Sequence, residues 1–161
     1  MTISTLEIIS IILAGVAVGG SFVPRFPACI PAWLGLLCMH ISGAPYVDSK
    51  VLIFWGIASI IVLMLGILQP KSLTGARQGH AYVVGATIVG VILGYLISPV
   101  SAAIILGGAV GAFFGALAFM RTPAGPRFPV ASSEFLQYLC AKGLPAVISC
   151  AMAAIVIATA L

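Results

Sequence analysis

The chain has 161 residues, of which 62% are hydrophobic and 6% charged, with a mean hydropathy of +1.28. A soluble domain carries about 25% charged residues; seven basic and three acidic side chains cannot cover a 16.5 kDa soluble fold, so lipid must cover most of it. The net charge of +4 is spread over several loops with no basic helix or patch, which excludes a nucleic-acid footprint.

One transmembrane domain over residues 1–161 is expected, because no polar stretch is long enough to form a second. The first apolar segment runs over roughly 6–23. It opens on Ser4-Thr5-Leu6-Glu7, which fits a capping box in which hydroxyl and carboxylate satisfy free backbone N–H groups. A cleaved signal is not expected, since there is no positive n-region and no A-x-A site before Pro24. The second segment, 28–42, is interrupted by Pro31 and reads either as a full crossing or as a re-entrant or tilted piece. Asp48 or Ser49 can cap the third, 51–68; the fourth and fifth run over 82–98 and 100–120. Ser132 can cap a segment starting near Ser133. Residues 134–142 set Phe135, Leu136, Leu139 and Cys140 against Glu134 and Gln137, the pattern of an interfacial amphipathic stretch leading into a last span at 143–161. A crossing needs about 20 residues. The fold class expected is an all-α integral membrane protein, a bundle of about five to six short transmembrane helices.

Lys and Arg positions orient the bundle. With six crossings Arg25, Lys71, Arg77, Arg121 and Arg127 fall in loops on one side, joined by Lys142, while Lys50 falls on the other. The positive-inside rule makes the first side cytoplasmic, in a bacterial inner membrane.

The strongest motif is one of packing. Small residues recur every fourth position in 82–120, as Ala86, Gly90, Gly94, Ser98 and, beyond Pro99-Val100, as Ala103, Gly107, Gly111, Gly115. An antiparallel hairpin brings Ser98 to Ala103, Gly94 to Gly107, Gly90 to Gly111 and Ala86 to Gly115, a glycine zipper. In lipid, where no hydrophobic force joins helices, close backbone approach supplies the association. With Gly15, Gly19, Pro24 and Pro27 ahead of it, the basic Gly75-Ala76-Arg77-Gln78-Gly79 loop before it and Lys142 before the last helix, the chain resembles the small bacterial membrane family called domain of unknown function 456. It departs from that family's pattern at Ala28 and at Met120-Arg121. The family has no agreed activity, so the resemblance implies an architecture and no chemistry.

Chemistry is sparse. Glu7, Asp48 and Glu134 each stand at an expected helix start, no two placed as a catalytic pair, and the serines lack a plausible His/Asp set. His40 and His80 lie near span ends, as interfacial side chains do. Cys29, Cys38, Cys140 and Cys150 show no C-x-x-C spacing and read as small packing residues. No enzyme activity, cofactor or metal site is expected. Three cations are candidates for binding a lipid phosphate or other anion: Arg25 between two prolines, Arg77 in its Gly-flanked loop, and Lys142 three residues before Pro145. For Arg25 and Lys142 snorkelling to headgroups is the simpler role, and for Arg77 it is a place in a solvated, positive-inside loop. The expected function is the handling of a lipid or a small solute by a homo-oligomer whose partners are membrane lipids. The alternative is a non-catalytic protein that stabilises or regulates a partner complex.

Overall fold

In a computed structural model, the described residues of the chain form six helices: α1 (Thr5–Gly20), α2 (Cys29–Ile41), α3 (Ser49–Leu68), α4 (His80–Ile97), α5 (Ser101–Met120) and α6 (Ser133–Ala160). The structure describes residues 5–23, 26–44, 47–68, 79–98, 100–123, 125 and 132–160; among these there is no strand. Ser4, Pro24, Arg25, Lys71, Arg77, Pro99 and Arg127 lie outside the described residues. The fold is an all-α membrane bundle in which α3, α4, α5 and α6 are long and apolar enough to cross a bilayer. With 16 and 13 residues, α1 and α2 are shorter. At about 1.5 Å per residue they extend about 24 and 20 Å, against about 30 Å of hydrocarbon.

Helix starts follow local chemistry. The Asp48 carboxylate accepts the Ser49 N–H at 2.8 Å at the head of α3, and Ser132 Oγ accepts the Phe135 N–H at 3.2 Å at the head of α6. Inside the helices, hydroxyls return to the preceding turn: Ser59 to the Trp55 carbonyl (2.8 Å), Thr87 to Val83 (2.7 Å) and Thr159 to Ile155 (2.7 Å). That is how an isolated hydroxyl is satisfied where no water is at hand. His40 Nδ1–H donates to the Val47 carbonyl at 2.7 Å and closes the α2–α3 link. The four cysteines are free, with Cys29 and Cys150 buried in the core.

The bundle is organised around α6, which packs against every other helix. On one side α1 pairs with α2, and α3 leans on α2; on the other α4 pairs with α5. The α4–α5 pair is the closest in the molecule. A methyl group at Gly90 would overlap the Gly107 carbonyl, one at Gly94 the Ala103 carbonyl, and one at Gly111 the Ala86 carbonyl. At Gly115 it would stand 2.6 Å from the Tyr82 carbonyl oxygen and 2.8 Å from the Ala86 methyl. Side-chain-free positions are therefore what let these backbones touch.

Sequence and structure part at α6. The expected interfacial stretch 134–142 and the last span are one helix of 28 residues running through Pro145. Pro145 removes only one backbone bond, to the Ala141 carbonyl, and neighbours on all sides hold the helix together. The buried stripe at the head of α6 is Phe135, Tyr138 and Lys142, whereas Leu136 is 58% exposed, so the apolar face expected from 135, 136, 139 and 140 is rotated.

Candidate functional site

One end of the bundle is built from the α1–α2 link, the end of α3, the start of α4 and the first half of α6. Between them lies a cleft of about 550 Å³, within the range of about 300–1,000 Å³ typical of small-molecule sites. Val23, Phe26 and Pro27 of the link, Val62, Leu63 and Ile67 of α3 and Ala146 of α6 give it apolar walls. Polar groups enter from three directions: Ser21 from the end of α1, His80 from the first residue of α4, and Lys142 from α6.

Lys142 is the only charged residue buried among the described ones, at 2% exposure. It reaches the cleft because it lies on the inward face of α6, in line with Tyr138, Ala146 and Ser149. The expected snorkelling role requires an outward-facing ammonium, and the structure turns Lys142 inward. The mouth has a different character. Val23, Phe26 and Ile67 line the cleft and are themselves 55%, 43% and 82% exposed, so the rim is apolar among the described residues.

Behind the cleft, α1 is tied to α6 by the Ser21 and Ser149 hydroxyls, 2.9 Å apart and buried. Ser21 Oγ also lies 2.8 Å from the Ala17 carbonyl, and Ser149 Oγ 2.7 Å from the Pro145 carbonyl. Two hydroxyl protons thus serve three short contacts, a cooperative arrangement that fixes the inner wall beside Pro145.

A second polar cluster adjoins His80. Gly79 caps α4 in the left-handed conformation, at φ +80°. A methyl group there would overlap the Phe119 ring and the Tyr138 hydroxyl, so glycine is required by conformation and by space. The Phe119 and Tyr138 rings stack with centroids 6.4 Å apart. The Tyr138 hydroxyl and His80 Nδ1 are both buried and without a hydrogen-bond partner.

Of the three candidate cations, Lys142 is in the cleft; Arg25 and Arg77 lie outside the described residues. The sequence alone marks His80 as an interfacial side chain and gives Tyr138, Ser21 and Ser149 no part. The available signal was register: Lys142 shares a face with Tyr138, Ala146 and Ser149, and small residues one turn apart mark an inward face. Among the packing residues, Gly90, Gly94, Gly107, Gly111 and Gly115 meet the facing helix, as do the Ala86 and Ala103 backbones; Ser98 ends α4, its N–H bonded to the Gly94 carbonyl. Comparison with protein-family models, curated proteins and solved structures finds no match to this chain.

Proposed function

We propose that this is a non-catalytic membrane protein that holds an anionic amphiphile, its head against Lys142 and its apolar chain along the cleft walls. The observation that carries the reading is a buried lysine lining a cleft with apolar walls. In a low-dielectric cleft the attraction between a fixed cation and an anionic head is far stronger than in water. The exposed apolar rim favours entry from the bilayer over entry from water. In this reading the cleft end, where the α1–α2, α3–α4 and α5–α6 links carry six of the seven Lys and Arg residues with Lys142, is cytoplasmic, in a bacterial inner membrane. The ligand then comes from the inner leaflet.

The test is native mass spectrometry of the delipidated protein with a single-chain phosphate amphiphile, a monoacylglycerol and inorganic phosphate. The parent is expected to retain the phosphate amphiphile. Lys142→Gln is expected to weaken that binding by roughly ten-fold or more, as loss of a charge-assisted contact does, while leaving the monoacylglycerol unchanged. Equal retention of the phosphate amphiphile by parent and Lys142→Gln refutes the role of Lys142. Competition by inorganic phosphate alone at the same concentration would make this a solute site.

A further inference from the structure

His80 and Tyr138 account for two buried polar atoms that lack partners, and both stand at the same corner. Tyr138 is 4% exposed, and its hydroxyl lies against Gly79, the residue before His80. His80 lines the cleft, and its Nδ1 is buried without a hydrogen-bond partner. The ring has the backbone of Ser21, another lining residue, as a neighbour and lies within the field of Lys142. With the proton of a neutral imidazole on Nε2, Nδ1 is left as a lone pair. A lone pair buried away from water needs a donor. Among the described residues, the unassigned donor at this corner is the Tyr138 hydroxyl.

We infer that Tyr138 is a positioning residue: its hydroxyl, through one bridging water, supplies the hydrogen bond to His80 Nδ1 and holds the imidazole with Nε2–H facing the cleft as a second donor to the ligand head beside Lys142. The inference rests on the cleft reading above and narrows the ligand. A head that meets an ammonium and an imidazole N–H side by side must offer at least two acceptor oxygens. It must also lack a cation of its own, which would lie against Lys142. Single-chain amphiphiles ending in a phosphate monoester or a carboxylate meet both conditions, and zwitterionic choline heads do not. An anionic oxygen also suits Nε2–H, because hydrogen bonds to a charged acceptor are about twice as strong as neutral ones.

The chain has two histidines, so the His80 imidazole is identified in nitrogen-15 spectra of the detergent-solubilised protein as the signal lost in His80→Gln. In the parent His80 is expected in the Nε2–H form, with Nε2 shifting on addition of the phosphate amphiphile and staying still with monoacylglycerol. Tyr138→Phe keeps the stacked ring and is expected to abolish the tautomer preference. It should also weaken the phosphate amphiphile about ten-fold, as loss of one charge-assisted contact does, with monoacylglycerol binding unchanged. An Nδ1–H form in the parent, or an unchanged tautomer in Tyr138→Phe, overturns the inference. Retention of the phosphate amphiphile with no response at His80 removes His80 and Tyr138 while leaving the Lys142 site standing. Failure to retain either amphiphile removes the cleft reading and this one with it.

Discussion

Gly85 and Gly90 lie on the same helix five residues apart, and an alanine placed at each should have opposite consequences. A methyl group at Gly85 meets nothing within 4 Å, whereas at Gly90 it overlaps the Gly107 carbonyl and stands 3.0 Å from Gly111 Cα. Carbon atoms pack best at about 3.5–4.0 Å, so α4 and α5 have to part by about 0.5–1 Å, enough to forfeit a quarter to a half of the dispersion attraction across the pair. Overpacking of this kind costs about 1–3 kcal/mol. Both substitutions gain the same helix propensity, about 1 kcal/mol for Gly→Ala, so propensity cancels in the comparison. Gly90→Ala is therefore expected to be less stable than Gly85→Ala by about 1–3 kcal/mol, about 5–150-fold in the unfolding equilibrium. Unfolding by dodecyl sulfate in mixed micelles, followed by tryptophan fluorescence, measures the difference. Equal midpoints for the two variants would refute the claim that backbone contact holds α4 to α5.

Two further outcomes follow from other parts of the bundle. Gly79→Ala is expected to lower stability more than Gly43→Ala in the same titration: both glycines have positive φ, but only Gly79 also lacks space for a methyl; the backbone cost alone is of order 1–3 kcal/mol, and equal losses would show that the Phe119–Tyr138 wall yields. For topology, single cysteines at the exposed positions Ser49 and Ser133, in a Cys-free background, should differ in sealed cells. An impermeant thiol reagent is expected to label Ser49→Cys and to spare Ser133→Cys, and the reverse pattern would invert the orientation.

Much of the fold is legible in the sequence because lipid leaves few choices. Apolar runs have to be helices, and Asp48 and Ser132 mark starts by chemistry that operates within one turn. The spacing of Gly90, Gly94, Gly107 and Gly111 carries their meeting in the same way, since only small residues recur on that face. What the sequence withholds is rotation and partner choice. Leu136 and Tyr138 are both compatible with an inward face of α6, and the decision belongs to Phe119 and Gly79, remote in sequence. Pro145 looks like a boundary locally, yet it is an interior position once five helices surround α6. Lys142 illustrates the cost of missing that rotation, because a lysine near a span end is ordinary on the outer face and a candidate binding group on the inner one.

The position of α6 as the shared neighbour also bears on biogenesis. The other described helices precede it in the chain, and they form two separate groups, α1–α2–α3 and α4–α5, with little to join them directly. Until α6 inserts, each group exposes to lipid the flank it will later give to α6, and the wall of the cleft that carries Lys142 does not yet exist. Assembly of this chain is therefore a docking of two preformed pieces onto a late central post. Destabilising changes on α6 should leave inserted but unjoined halves, a state that quality-control proteases in the membrane would meet as two small loose bundles.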